Sequence, residues 1–233
     1  MNKLYALAIG ISLIFIPLLS HASHVVGMDM EYEHQGNGVY RVWVSIYSDC
    51  SGIPAPSTLN LQAFTPNGCT PFSSTSPIIA TLGQQCLYPG SHLPNGASCE
   101  VSNICDSLVA SSCCSSGSAN CVNGISLSTY SGLITLPTGS NNQRCAEWIL
   151  AASNCTRSPT ITNISNPGSQ CTYVYAEVND SLQNTLTNHS PQWTQRNHWL
   201  SGIGQITELD FSCIDPDGDS LAYRLVPAFE SWN

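Results

Sequence analysis

The chain has 233 residues, with six Lys or Arg against fifteen Asp or Glu and a formal net charge of -9. A nucleic-acid binder needs a basic face to displace phosphate counterions, and this composition lacks one. Charged residues make up only 9% of the chain while Ser, Thr, Asn and Gly crowd its loops, the look of an extracellular β protein with a polar, uncharged surface.

The first segment, "LYALAIGISLIFIPLL" after Lys3, is a secretory h-region, and Ser20 and Ala22 stand at the small-residue positions of a cleavage site before Ser23. Residues 1–22 are therefore expected to be removed, and the mature chain to be secreted or held at the outer cell surface. No second apolar run of that length follows. "MDMEYEH" then places Met28, Met30, Tyr32 and His34 on one face of a strand. Asn37-Gly38 supplies the turn and "VYRVWVSIYSDC" alternates again, which predicts a β-hairpin.

Further strands are predicted at "STLNLQAF", "PIIATL", "TYSGLITL", "AEWILAAS", "CTYVYAEVN", "ITELDFSCI" and "SLAYRLV", separated by turns rich in Pro, Gly and Asn. Their spacing points to an all-β, sandwich-like domain over residues 23–185. Residues 86–121 differ, holding six cysteines and few large apolar residues, and are expected to form a loop-rich insertion stapled by its own disulfides. Near residue 185, "TLTNHSPQWT" has the composition of a linker. Residues 186–233 then supply about three strands where a sandwich takes about seven, so they read as the start of a second Ig-like or cadherin-like module, the chain being a piece of something longer.

All twelve cysteines follow the cleavage point: Cys50, Cys69, Cys86, Cys99, Cys105, Cys113, Cys114, Cys121, Cys145, Cys155, Cys171 and Cys213. An even count in an exported chain reads as a disulfide framework with no free thiol. Zinc and thiol redox chemistry fare poorly because no C-x-x-C occurs. Adjacent Cys113 and Cys114 should bond to different partners, since neighbours meet disulfide geometry only with strain. The rest of the pairing is open.

The densest chemistry is "DPDGD", with Asp215, Asp217 and Asp219 at alternate positions. An EF-hand is excluded: Ser220 stands where Gly is needed and Val226 where a bidentate Glu is needed. Two readings stay open, a tight turn capped by its own carboxylates, or the same turn holding Ca²⁺ through hard oxygen ligands. Trp43, Trp148, Trp193 and Trp199 read as core before they read as a glycan platform. Asn154, Asn163, Asn179 and Asn188 head Asn-x-Ser/Thr triplets that matter only in a eukaryotic host.

In order, "ASHVVGMDMEY", "VYRVWVSIYSDCSGIP", "TYSGLITLP", "CAEWILAASNCTR", "NHSPQW" and "DPDGDSLAYRLVP" resemble the N-terminal region of large secreted surface proteins of Bacteroidota. Those proteins carry PKD-type or cadherin-like repeats and a gliding-motility-associated sorting domain. The resemblance spans most of residues 22–227. It implies further β modules on the same polypeptide and export by the type IX route, although this chain contains no sorting domain. It also supplies the cadherin-like precedent for Ca²⁺ at "DPDGD". "DSL" at Asp106, Asp180 and Asp219 resembles a short Bacteroidota O-glycosylation signal on Ser107, Ser181 or Ser220. The resemblance has departures, notably the single cysteine of "NCTR" and the dense cysteines of residues 86–121.

Three function classes follow. The first is a structural or adhesive surface module whose glycan or protein ligand is unidentified, the second a carbohydrate-binding module, and the weakest a secreted hydrolase. No Gly-x-Ser-x-Gly, His-Glu-x-x-His or phosphate-cradling glycine loop occurs, so no catalytic residue is named.

Overall fold

The computed structural model describes residues 24–66, 78–85, 99–102, 104, 106–116, 120–139, 143–155, 157–182, 188–194 and 204–228. The expected leader and cleavage point, half of the cysteine-rich insertion, Cys69, Cys86, Cys105 and Trp199 lie outside them.

The predicted hairpin forms as β1 (Val25–Gly36) and β2 (Val39–Asp49). Asn37 and Gly38 take φ of 53° and 74°, the left-handed backbone that Asn and Gly tolerate and that a two-residue hairpin turn needs. Gly38 is further constrained, because a Cβ there would overlap the Arg144 guanidinium. Five more strands fall where alternation predicted them: β3 (Thr58–Phe64), β4 (Ile78–Gln85), β6 (Ile125–Thr135), β7 (Trp148–Cys155) and β8 (Cys171–Val178).

All pair antiparallel in one sheet of order β1-β2-β6-β4-β3-β7-β8, with the short β5 (Cys99–Glu100) added beside β6. β6 pairs with β2 along its whole length but with β4 only through Gly83–Gln85 against Ser131–Thr129. That short ladder is the corner at which the sheet folds over, so that the β1-β2-β6 leaf faces the β4-β3-β7-β8 leaf.

The core between the leaves takes alternate residues from each strand: Val42, Val44 and Ile46, then Leu59, Leu61 and Ala63, then Trp148, Leu150 and Ala152, around Leu82 and Tyr130. Period-two patterning buries one face of every strand, and each fully buried Val, Leu or Ile contributes about 1.5–3 kcal/mol. A smaller cluster of Tyr47, Val101 and Leu127 lies on the outer face of β2 and β6, where the insertion packs.

The insertion is less self-contained than expected. Cys113–Cys121 is internal, but Cys50–Cys114 ties it to the end of β2, so the adjacent cysteines do take different partners. It also carries two single-turn helices, α1 (Asp106–Val109) and α2 (Cys113–Ser116), where none was predicted. Cys155–Cys171 joins directly paired residues of β7 and β8, and Cys145 is disulfide-bonded too.

The C-terminal segment departs further from expectation. Of "ITELDFSCI" only β10 (Cys213–Ile214) pairs, with β9 (Gln192–Trp193), and "SLAYRLV" makes no ladder. Ile206 and Leu225 are 99% and 98% exposed, so these residues have nothing among the described ones to bury against. Cys213 departs from the expectation of a chain without a free thiol: its strand partner is Trp193, which offers no sulfur, and it is a free cysteine.

Candidate functional site

β1 is the outer strand of its leaf, and an outer strand presents backbone N–H and C=O groups that need partners. At one end the Ser158 N–H donates to the Val25 carbonyl (3.1 Å) beside a Val25–Arg157 bridge. At the other, Tyr32 is met on both its edge groups by Ser190: its N–H donates to Ser190 Oγ (2.7 Å) and its carbonyl accepts the Ser190 N–H (2.9 Å). Asn188 Nδ2 donates to the Tyr32 hydroxyl (3.0 Å) and the Trp193 N–H to Glu31 Oε1 (3.4 Å). "NHSPQW", read from sequence as linker, is thus laid along the edge of β1.

The "DPDGD" loop is fastened to the same place. Asp217 Oδ2 accepts the His189 N–H at 2.7 Å, and its Oδ1 lies 2.9 Å from His189 Nδ1. Those contacts, the backbone one foremost, hold the Asp217 carboxyl below the usual carboxylate range. Asp215 Oδ1 accepts the N–H groups of Asp217 (2.8 Å) and Asp219 (3.3 Å), and the Gly218 N–H reaches the Asp215 carbonyl (3.2 Å). Gly218 has φ of 84°, where a side chain would be strained. Burial pushes the Tyr32 phenol up, with the Asp215 and Asp217 charges adding to the shift.

The arrangement therefore has the features of the capped turn. Asp215 serves the loop's own backbone, Asp217 serves His189, and Asp219 is exposed. Among the described residues no group of three His, Cys, Asp or Glu is gathered around one point, and the carboxylates of Asp215 and Asp217 are engaged by backbone N–H groups and by His189.

A second polar cluster went unread in the sequence. Asp180 is wholly buried, with its Oδ2 3.0 Å from Arg144 Nη1 and its Oδ1 accepting the Tyr40 hydroxyl at 2.9 Å. Its own N–H donates to the Cys145 carbonyl (3.0 Å). Burial raises the Asp180 carboxyl above its ordinary range, against the lowering effect of Arg144 and Tyr40. The buried His34 ring lies 5.0 Å from that of Tyr40. This cluster pins the ends of β2 and β8 to the segment before β7. Asp180 is fully buried while the Arg144 side chain keeps 10% of its surface exposed, and an ion pair of this kind holds the surrounding elements together.

The remaining candidates are scattered. Trp148 is core, whereas Trp43 and Trp193 are half-buried. Asn154 is half-buried, and Asn163, Asn179 and Asn188 are exposed. Ser107, Ser181 and Ser220 are exposed, but the acid of the middle "DSL", Asp180, is sealed inside. Among the described residues no helix is long and apolar enough to cross a membrane. No protein-family model, curated protein or solved structure matches the chain.

Proposed function

We propose that this chain is an exported, non-catalytic β module of a cell-surface polypeptide, whose task is to hold the segment that follows it at a fixed angle. The observation that carries this reading is the joint at β1: Ser190 on both edge groups of Tyr32, and His189 on both carboxylate oxygens of Asp217. A passive linker would leave that edge to solvent. Here the chain leaves the sandwich along the edge and is caught again 28 residues later. Disulfides, low charge and the resemblance to Bacteroidota surface proteins support an oxidising, extracellular setting.

Hydrogen exchange on the full chain tests the joint. The Tyr32 and Ser190 amides should be protected in the wild type, and His189→Ala should expose Ser190 while the β2–β6 ladder stays protected. Free exchange at both amides in the wild type would overturn the joint. A robust esterase, glycosidase or peptidase activity abolished by one Asp or His substitution would overturn the non-catalytic reading.

A further inference from the structure

The outer face of the β3-β7-β8 leaf is built differently from the rest of the surface. The register aligns Gln62 with Ala151 and Ala151 with Tyr175 across three strands. Continuing the same antiparallel ladders by two residues aligns Asn60, Ser153 and Tyr173 in the next row. Two tyrosines therefore follow one another along β8, two small residues follow along β7, and two amides follow along β3. The Tyr173 and Tyr175 ring centroids are 6.1 Å apart with planes inclined by 35°. Exposed Ser153 makes a low floor between the rings and the amides, with Ala151 buried beside it, and a cavity of about 370 Å³ is lined by Asn60, Gln62, Ser153, Asn154 and Tyr173, with Tyr175 next to Tyr173 outside that lining.

We propose that this trough binds a neutral glycan chain, with sugar rings lying against Tyr173 and Tyr175 and their hydroxyls hydrogen-bonded by Asn60 and Gln62. Tyrosine offers a rigid, amphipathic surface at low entropic cost, and an amide both donates and accepts, as a ring of hydroxyls requires. Successive outward positions on a strand are about 6.6 Å apart, so the rings and amides form two parallel rails, which suits a linear, repeating ligand. None of the residues lining the cavity is charged, which together with the acidic chain disfavours an anionic polymer. An added peptide strand is disfavoured at β3 and β7, which are interior strands with both edges paired. An apolar ligand would leave the Asn60 and Gln62 amides desolvated.

This inference rests on the reading of the chain as a non-catalytic surface module, and the test keeps the two apart. Full-length protein is titrated calorimetrically with cellohexaose, xylohexaose, laminarihexaose and mannohexaose, and with a hyaluronan hexasaccharide as the anionic probe. At least one neutral oligosaccharide should bind, with affinity falling about tenfold or more in Tyr175→Ala and by a few-fold in Gln62→Ala. Tyr175→Phe keeps the ring and should keep most of the binding, even if Tyr175→Ala proves unstable. Trp193→Ala, at the joint, should leave binding unchanged. No binding to any neutral oligosaccharide, binding of the anionic probe alone, or neutral binding indifferent to both Tyr175→Ala and Gln62→Ala would overturn the trough. Cleavage of a bound oligosaccharide would contradict the non-catalytic reading instead.

Discussion

Tyr130 shows how a single residue reports on the core. Its ring is fully buried, its hydroxyl donates to the Pro56 carbonyl at 2.6 Å, and burial pushes its pKa up to about 12. The folded value lies above the unfolded one, so the neutral phenol's contribution is complete below about pH 10 and is lost as pH rises through about 12. Ultraviolet titration of wild type against Tyr130→Phe should show one tyrosine ionising near pH 12, and the variant should lose about 1 kcal/mol in urea melts. Asp180 shifts in the same direction with the opposite outcome at neutral pH. Its raised pKa means that the protonated acid favours the fold, a contribution present below the ordinary carboxylate range and lost as pH rises through the raised value. Arg144→Leu leaves a wholly buried carboxylate without its cation and should cost about 3–5 kcal/mol at neutral pH. The deficit should shrink in acid, which urea denaturation at two pH values measures.

At the scale of elements, the strands were legible in the sequence and their arrangement was not. Alternation placed β1 to β4 and β6 to β8 because each buries one face, and Asn37-Gly38 marked the hairpin because few residues accept its backbone. The fold-over corner left no local signal, since the partners β4 and β6 are separated by the whole insertion. Two glycines there separate close packing from mere permissiveness. A Cβ on Gly132 would lie 2.8 Å from Leu82 Cδ2, in the core, whereas one on Gly83 would meet nothing within 4 Å. Gly132→Ala should therefore cost about 1–3 kcal/mol by overpacking, and Gly83→Ala should be neutral or stabilise by about 0.4–1 kcal/mol. Thermal melts of the two variants check the pair. Strands were over-predicted at "SLAYRLV" because alternation marks a segment able to form a strand, and a strand still needs a neighbour.

For the whole molecule, the joint at β1 depends on contacts that no local pattern announces. Tyr32 and Ser190 are 158 residues apart, and no sequence pattern gives His189 a role, because its partner Asp217 belongs to a loop 28 residues away. The aspartates were found from sequence, but their use was not, because turn capping and metal binding call for the same residues. Since His189 holds the Asp217 pKa below its ordinary value, this contact contributes stability present above the ordinary carboxylate range and lost as pH falls through the lowered value. The segment after the joint should therefore loosen in strong acid.

Residual dipolar couplings of the full chain test this orientation most directly. Amides of residues 213–219 should fit the same alignment tensor as those of β2, β3 and β6, and His189→Ala with Asp217→Ala should separate the tensors while the sandwich couplings stay unchanged. Independent tensors in the wild type, or one shared tensor in the double variant, would contradict the account.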